Sequence, residues 1–521
     1  MNSPGEKFFL GRVDWTAATA TAILLILSFP NFEFSFLAWI ALVPLLWAIV
    51  NRPSPRRAFL LGWAAGSVFF YVSCYWLTYS MINYGGLPTV LAYLLLAPGA
   101  LVVGLFPGLF ALILALAVKR WGYAAVLTAP VLWPALEWVR LGVTGQLWNA
   151  LGYSQAYHPT LIQAANWGGV YAVSFLIVAI NTVIVLVLVR QKTWTVATAL
   201  VSAVSVGFLI LSSPLLAEGD HNLSSDGPSL RVIALQPNVP MSLVKSPEEI
   251  NELRERHLRL SQQALAKVED YPPRLVVWPE SPMNFSYASD KAFQEWVAQF
   301  ATFNRASLIF NSLEPAGPDA YYNSALLVNQ EGRMIAQYDK IRLMPFGEYV
   351  PFRQWLPGTS LISTIVGEFT PGQTYTLMPV AGYRVGVFIC IESAYPWIAR
   401  RLTNEGADVL INISNDGYLG PTAVMRQHLA NAIFRAVENG RPVMRVTNTG
   451  ISAWIREDGR IEEQTVPFQE DVRSWVVGRP SLVSTLYREY GDLFVHICAA
   501  LTAIVFLAAV FPRRRSLRQL R

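Results

Sequence analysis

Three side chains stand where this chain could do chemistry in water. Cys390 closes the apolar run RVGVFIC, Glu280 closes RLVVWPE, and Lys340 lies in YDKIRLMPFGEYVPF after the segment YYNSALLVNQEGRMIAQYDK. Together they are a nucleophile, a base and a cation. A thiol with a pKa of about 8.5 is only a few per cent thiolate at neutral pH. A carboxylate brought close can take its proton as general base. An ammonium favours the thiolate and can stabilise the oxyanion of a tetrahedral intermediate, with backbone N–H groups around Ile391 as further donors. Each residue also has an ordinary reading: a solvated strand-end glutamate, a surface lysine, a core cysteine. Of the three cysteines, Cys74 and Cys498 fall inside long apolar runs, so Cys390 is the only thiol of the polar segment. A lone thiol facing an oxidising compartment is a liability unless it reacts.

The elements that must position these groups are legible between about 230 and 490. Strands are expected at RVIALQ (231–236), RLVVWPE (274–280), SLIFNSL (307–313), YRVGVFIC (383–390), DVLINIS (408–414) and PVMRVTN (442–448). Helices fit SPEEINELRERHLRLSQQALAKV, DKAFQEWVAQFATF, YPWIARRLTNEG and TAVMRQHLANAIFRAVENG, and Glu331–Gly332 marks a hairpin turn. Near-continuous apolar strands alternating with helices predict α/β layers. In such sheets reactive groups gather beyond the carboxyl ends of the strands. The strand order is not readable from the pattern.

The rest of the chain belongs to a membrane. Of 521 residues, 53% are hydrophobic and 14% charged, with a mean hydropathy of +0.36, which is not the profile of a soluble protein. Runs long enough to span lie at 14–31, 35–51, 58–81, 88–118, 122–139, 166–189, 195–216 and 491–511. The fourth contains Pro98 and Pro107, so it is kinked or interrupted. The first, flanked by Lys7 and Arg12 with no small-residue cleavage site after it, reads as a signal anchor. Alternate connections are basic: Arg52, Arg56 and Arg57; Lys119 and Arg120; Arg190 and Lys192. Both termini are basic too, which fits the positive-inside rule with an even number of spans and both termini cytoplasmic. The polar segment then faces the far side. Ionisable groups at membrane depth are too few for ion-coupled transport; Glu137 and Arg140 read as an interfacial pair at the end of the fifth span. The net charge of +5 sits largely at span ends and gives no sign of nucleic-acid binding. His158, His221, His257, His428 and His496 show no ligand spacing and no nucleotide loop is present, so neither metal nor cofactor is expected.

The order Glu280, Lys340, Cys390 resembles the Glu–Lys–Cys triad of the carbon–nitrogen hydrolase (nitrilase) superfamily. Three further stretches narrow the likeness: LEWVRLGVTGQLWNALGYSQ, DKIRLMPFGEYVPF and ISNDGYLGPTAVMRQHLANAIFRAVENGRPVMRVTNTGISAW. These are similar to the bacterial apolipoprotein N-acyltransferase family, over nearly the whole chain. The resemblance implies a membrane bundle of about eight helices carrying an α/β nitrilase-like αββα sandwich. Residues 1–218 would hold seven spans, 219–229 a linker, 230–480 a periplasmic catalytic domain, 481–512 a linker and the eighth span, and 513–521 a basic cytoplasmic tail. The protein would reside in the bacterial inner membrane. Glu348 then matches a second glutamate that orients the lysine or a substrate amine, Glu392 a supporting glutamate beside the nucleophile, and Tyr418 an aromatic substrate contact.

The implied reaction suits the compartment. Outside the cytoplasm no ATP activates an acid, so an acyl group must come from an existing ester. Ester to thioester is nearly neutral, and thioester to amide runs downhill. The sn-1 chain of a phospholipid donor, taken as phosphatidylethanolamine, would pass to Cys390 and then to the amine of a diacylglyceryl-cysteine on an apolipoprotein, with ping-pong kinetics. Two other readings remain at this level: a membrane-anchored amidase or nitrilase, and a non-catalytic lipoprotein-binding scaffold. Several positions depart from the family pattern. Met241 and Lys245 lie where a tryptophan is expected, Ile391 where tyrosine is common, and NDGYLG where Asp-Ala-Trp-Phe-Gly is usual. The apolar, Gly/Pro-punctuated stretch 356–373 reads either as a lid or as a packed loop.

Overall fold

The alternation of short apolar runs with amphipathic helices builds two six-stranded sheets. The computed structural model describes residues 10–189, 229–241, 246–280, 286–318, 320–345, 347–349, 369–479 and 484–511. In chain order the strands are β1 (Ser229–Gln236), β2 (Arg274–Val277), β3 (Ala306–Pro315), β4 (Tyr321–Val328), β5 (Met334–Asp339), β6 (Leu377–Val380), β7 (Tyr383–Ile389), β8 (Val409–Ser414), β9 (Val443–Thr447), β10 (Ala453–Ile455), β11 (Ile461–Gln464) and β12 (Asp471–Gly478). The sheet orders are β12-β1-β2-β3-β4-β5 and β11-β10-β9-β8-β7-β6. Each sheet has a parallel trio at its centre, β1–β2–β3 or β7–β8–β9, flanked by antiparallel strands.

Parallel neighbours require crossovers, and the four expected helices supply them. Pro247–Leu265 and Lys291–Asn304 connect the first trio; Pro396–Asn404 and Val424–Asn439 connect the second. The first of these starts on a capping box, with Glu249 N donating to Ser246 Oγ (3.2 Å) and Ser246 N to Glu249 Oε2 (2.7 Å). Leu253, Leu260, Phe293, Val297 and Phe300 of the first two helices pack on Ile233, Val276, Leu308 and Phe310 of the sheet. Every residue of β2 and of β8 is buried, as strands covered on both faces must be.

The two sheets face each other through polar pegs as well as apolar contacts. Gln236 at the end of β1 accepts from the hydroxyls of Ser452 (2.8 Å) and Thr465 (2.6 Å) beside β10 and β11. The β4–β5 turn falls at Gly332, whose φ of +77° suits glycine. The layers are therefore α, β, β, α, the expected nitrilase-like arrangement.

By packing, the described residues form two compact units: 10–78, 87–189 and 492–511 make one, while 79–86 join those from 229 to 491 in the other. In the first unit, three helices are long and apolar enough to cross a membrane: Thr89–Trp121, Ala165–Leu188 and Leu493–Val510. A fourth is added if the bent pair Pro55–Ser73 and Leu77–Asn83 counts as one span. The expected span 88–118 is a single helix of 33 residues that keeps Pro98 and Pro107 inside it. At 122–139 the chain instead forms a 3-10 stretch, Tyr123–Thr128, before the helix Ala129–Thr144. At 14–31 the helix runs Arg12–Ser28, 17 residues. The run 195–216, most of the 219–229 linker and the tail 513–521 lie outside the described residues.

Glu137 and Arg140 are buried inside the Ala129–Thr144 helix rather than capping it. Glu137 Oε1 accepts from Leu151 N (2.7 Å) and Trp133 Nε1 (2.9 Å), while Arg140 donates to Trp148 O (2.7 Å) and lies 4.9 Å from the centre of the Phe70 ring. The two charges thus tie the following segment, 148–151, back to the helix. The Pro55–Ser73 and Thr89–Trp121 helices approach closely at Gly104, where a Cβ would stand 2.8 Å from Ser67 N. Gly104→Val should destabilise the detergent-solubilised protein by about 1–3 kcal/mol through overpacking. Gly99→Val, on the same helix with no neighbour within 4 Å of its Cβ, should cost far less. Urea unfolding followed by tryptophan fluorescence compares the two.

Candidate active site

Lys340 follows β5 directly, and its backbone is pinned on both sides. Lys340 N donates to Asn323 O (2.8 Å) and Gly372 N donates to Lys340 O (2.8 Å). Its side chain is 2% exposed. Nζ reaches Glu348 Oε1 at 2.9 Å and Glu280 Oε1 at 3.2 Å. Burial opposes the ammonium, but Glu280 and Glu348 outweigh it and hold the Lys340 pKa well above its usual value. The lysine stays charged.

The two carboxylates are fixed from further strands. Glu280 lies just past β2, and its Oε2 accepts from Asn415 N (3.1 Å), just past β8. Glu348 Oε2 accepts from Met344 N (2.7 Å). Asn323 on β4 bridges them, with Nδ2 donating to Glu280 Oε1 (2.9 Å) and Glu348 Oε1 (2.7 Å). Asn311 Nδ2 on β3 in turn donates to Asn323 Oδ1 (2.7 Å), which fixes the orientation of that amide. Two like charges at one site repel; an ammonium and an amide between them make the arrangement stable.

Cys390 directly follows β7 and opens the 3-10 turn Cys390–Ala394. It is the one member of the triad with strained backbone, at φ +52°. Burial and the charge of Glu280 push the thiol above its ordinary range, while Lys340 pulls the other way. At rest it is a thiol, not a thiolate. Glu392 lies two residues on and is 1% exposed. Its Oε1 accepts from Ile341 N (2.7 Å) and Arg342 N (3.0 Å); its Oε2 accepts from Ile389 N (2.7 Å) and the Tyr338 hydroxyl (2.9 Å). One carboxyl therefore ties the strand that leads into Cys390 to the segment carrying the lysine. Burial pushes its pKa up to about 7, against these four donors.

The remaining expected residues divide. Tyr418 is 42% exposed, packs edge-on to Tyr84 at 5.6 Å, and has its hydroxyl pKa pushed up to about 12 by burial and by Glu280 and Glu348. Tyr84 O–H donates to Gly417 O (3.4 Å) in the same corner. Met241 is here as well, its sulfur 3.1 Å from Asn415 Nδ2. Ile391 is buried. Lys245 and residues 356–368 of the expected lid lie outside the described residues. Sequence reading passed over Asn311, Asn323 and Asn415. Their only signal was an amide inside or just beyond an apolar run, as in YYNSALL, IFNSL and INISND.

Two family models match the chain: the apolipoprotein N-acyltransferase N-terminal domain over residues 21–183 and carbon–nitrogen hydrolase over 231–480. A protein named apolipoprotein N-acyltransferase from Geobacter metallireducens is 34% identical over 512 residues, covering 97% of this chain and 96% of its own. One of the same name from Pseudomonas syringae pv. tomato is 32% identical over 483 residues, 89% of this chain and 91% of its own. Among solved structures, an amidase of the nitrilase superfamily from Nesterenkonia aligns with a TM-score of 0.39 and 17% identity, over 53% of this chain and 98% of its own.

Two outcomes test the geometry. Alkylation of Cys390 by iodoacetamide should be slow at pH 7 to 8 and accelerate only at higher pH than for a free thiol of pKa about 8.5. Glu280→Gln, which removes a like charge, should move that acceleration to lower pH; peptide mapping of alkylated protein across pH reads both. Asn323→Leu strips one donor from each carboxylate and takes away the Oδ1 acceptor of Asn311, whose Nδ2 keeps its bond to Ser324 O at 2.9 Å. It should cost about 1–3 kcal/mol of stability, measured by the same urea unfolding.

Proposed function

The chain belongs to the apolipoprotein N-acyltransferase family, and we propose from that premise how its own residues acylate an apolipoprotein. The reading rests on one observation: a buried Lys340 ammonium is held between Glu280 and Glu348, and Glu392 ties the segment after it to Ile389, the residue before Cys390. That combination suits covalent acyl transfer. It offers a proton acceptor, a fixed positive charge and a nucleophile.

In the first half-reaction Glu280 takes the Cys390 proton as sulfur attacks the ester carbonyl of a membrane phospholipid. Lys340 and the backbone N–H of Ile391 stabilise the oxyanion. The intermediate collapses, the C–O bond breaks, and the leaving lysophospholipid oxygen takes the proton from Glu280. Cys390 is left as a thioester. In the second, the free α-amine of a diacylglyceryl-cysteine attacks that thioester and gives its proton to Glu280. The C–S bond breaks, the departing sulfur takes that proton back from Glu280, the amide leaves, and the thiol and the carboxylate are restored. Glu348 keeps Lys340 in place, Glu392 holds the lysine segment against the nucleophile's strand, and Tyr418 with Tyr84 offers an aromatic surface to one of the two lipids.

The donor is phosphatidylethanolamine in this reading, with its sn-1 chain transferred. The basic loops and termini support an inner-membrane protein of eight spans with both ends cytoplasmic. Residues 230–480 are then the periplasmic catalytic domain, between a seven-span segment and a last span.

Intact mass spectrometry after incubation with phosphatidylethanolamine of defined chains tests the mechanism. The expected result is a gain of one acyl chain that hydroxylamine removes, that a diacylated lipopeptide discharges, and that Cys390→Ala lacks. Glu280→Gln should slow its formation by about 10²–10⁴-fold, the usual contribution of a general base. An adduct that survives in Cys390→Ala, or discharge to water as fast as to the lipopeptide, would count against it.

A further inference from the structure

A non-glycine residue in the left-handed region is strained and persists only where its surroundings fix it. Cys390, at φ +52°, is such a residue. Its carbonyl accepts from His428 Nε2 at 3.0 Å and, more loosely, from Asn412 Nδ2 at 3.4 Å. A carbonyl only accepts, so Nε2 carries the proton. The other ring nitrogen, Nδ1, lies 2.7 Å from Asp416 Oδ1 and 3.0 Å from an Arg445 nitrogen. Arg445 also reaches Asp416 Oδ2 (2.7 Å), and its second nitrogen donates to Asn412 Oδ1.

The contacts close a ring: Cys390 carbonyl, His428, Asp416, Arg445, Asn412, and back to the carbonyl. All four side chains are 2% exposed or less. They come from four places, namely the Val424–Asn439 helix, the loop after β8, β9 and β8. Burial works against the charge of Asp416, but Arg445 and His428 outweigh it and hold that carboxyl well below its usual range. The anchor of the ring is thus an ion pair rather than a neutral contact.

We infer that His428 is a positioning residue for acyl transfer, clamping the Cys390 carbonyl so that the peptide to Ile391 presents its N–H to the reacting acyl group. The reason is geometric. A trans peptide is planar, with C=O and N–H pointing to opposite sides. Holding the carbonyl against His428 therefore aims the Ile391 N–H the other way and fixes the thiol's direction with it. This inference rests on Cys390 being the nucleophile. A merely structural histidine would stabilise the helix without touching the rate of acylation.

The test uses the full-length protein in detergent, with thioester formation from phosphatidylethanolamine followed in a single turnover against lipid concentration. His428→Leu should lower the maximal acylation rate by about 10²-fold, the scale of one lost oxyanion donor or of a misplaced reacting group. The half-saturating lipid concentration should stay unchanged. His428→Gln, whose amide N–H reaches the place of Nε2, should recover most of the rate. A wild-type rate in His428→Leu would overturn the inference, as would equal loss in both variants in step with their melting temperatures. If His428→Leu does not fold, the isosteric Asp416→Asn replaces it: a lower rate at unchanged half-saturation supports the clamp, and an unchanged rate overturns it. No hydroxylamine-labile adduct on the wild type would instead overturn the acyl-enzyme reading, and this inference with it.

Discussion

A buried ammonium that must stay charged is the constraint around which the catalytic unit is arranged. Lys340 has lost nearly all its water, and only compensation by opposite charge makes that tolerable. Glu280 and Glu348 supply the charge, but two carboxylates so close would repel without a donor between them. Asn323 provides that donor, and Asn311 fixes its orientation. One polar demand thus reaches from the segment after β5 through β4 and β3 to the end of β2. The four strands have to be neighbours for the lysine to be buried at all.

Cys390 is governed by a second set of contacts on the facing sheet. Glu392 joins the end of β7 to the lysine segment by four hydrogen bonds, so the thiol and the ammonium are held by the same carboxyl. On the other side the ring through His428 and Arg445 grips the thiol's own backbone. The strained φ of Cys390 is sustained by this over-determination. In the proposed reaction that rigidity matters because the thiol is protonated at rest, and its activation would depend on direction as well as on charge.

The membrane unit shows a related economy. Where the sequence suggested a capping pair, Glu137 and Arg140 are buried and each takes a backbone group from the segment 148–151. Glu137 Oε1 and Arg140 thus find backbone partners within the chain, which lowers the cost of placing them away from water. Close approach at Gly104 serves packing in the same unit by letting two long helices touch backbone to side chain.

The sequence by itself determined the element types of the α/β unit and the three groups able to react. Strand-length apolar runs separated by amphipathic helices must form α/β layers, and a thiol, a carboxylate and an ammonium at the ends of such runs fall at the carboxyl edge of the sheets. It did not determine where the helices of the membrane unit begin and end. The stretch 122–139 has spanning composition yet breaks into a 3-10 piece and a helix, because hydropathy averages over a window and backbone geometry does not. Nor did it show which amides and charges would meet. Asn323, Asp416, His428 and Arg445 lie far apart along the chain from the groups they hold. Only the pairing of strands into two facing sheets brings them within hydrogen-bonding distance. Local patterning fixes which face a residue presents, whereas the partner on that face is a property of the packed sheets.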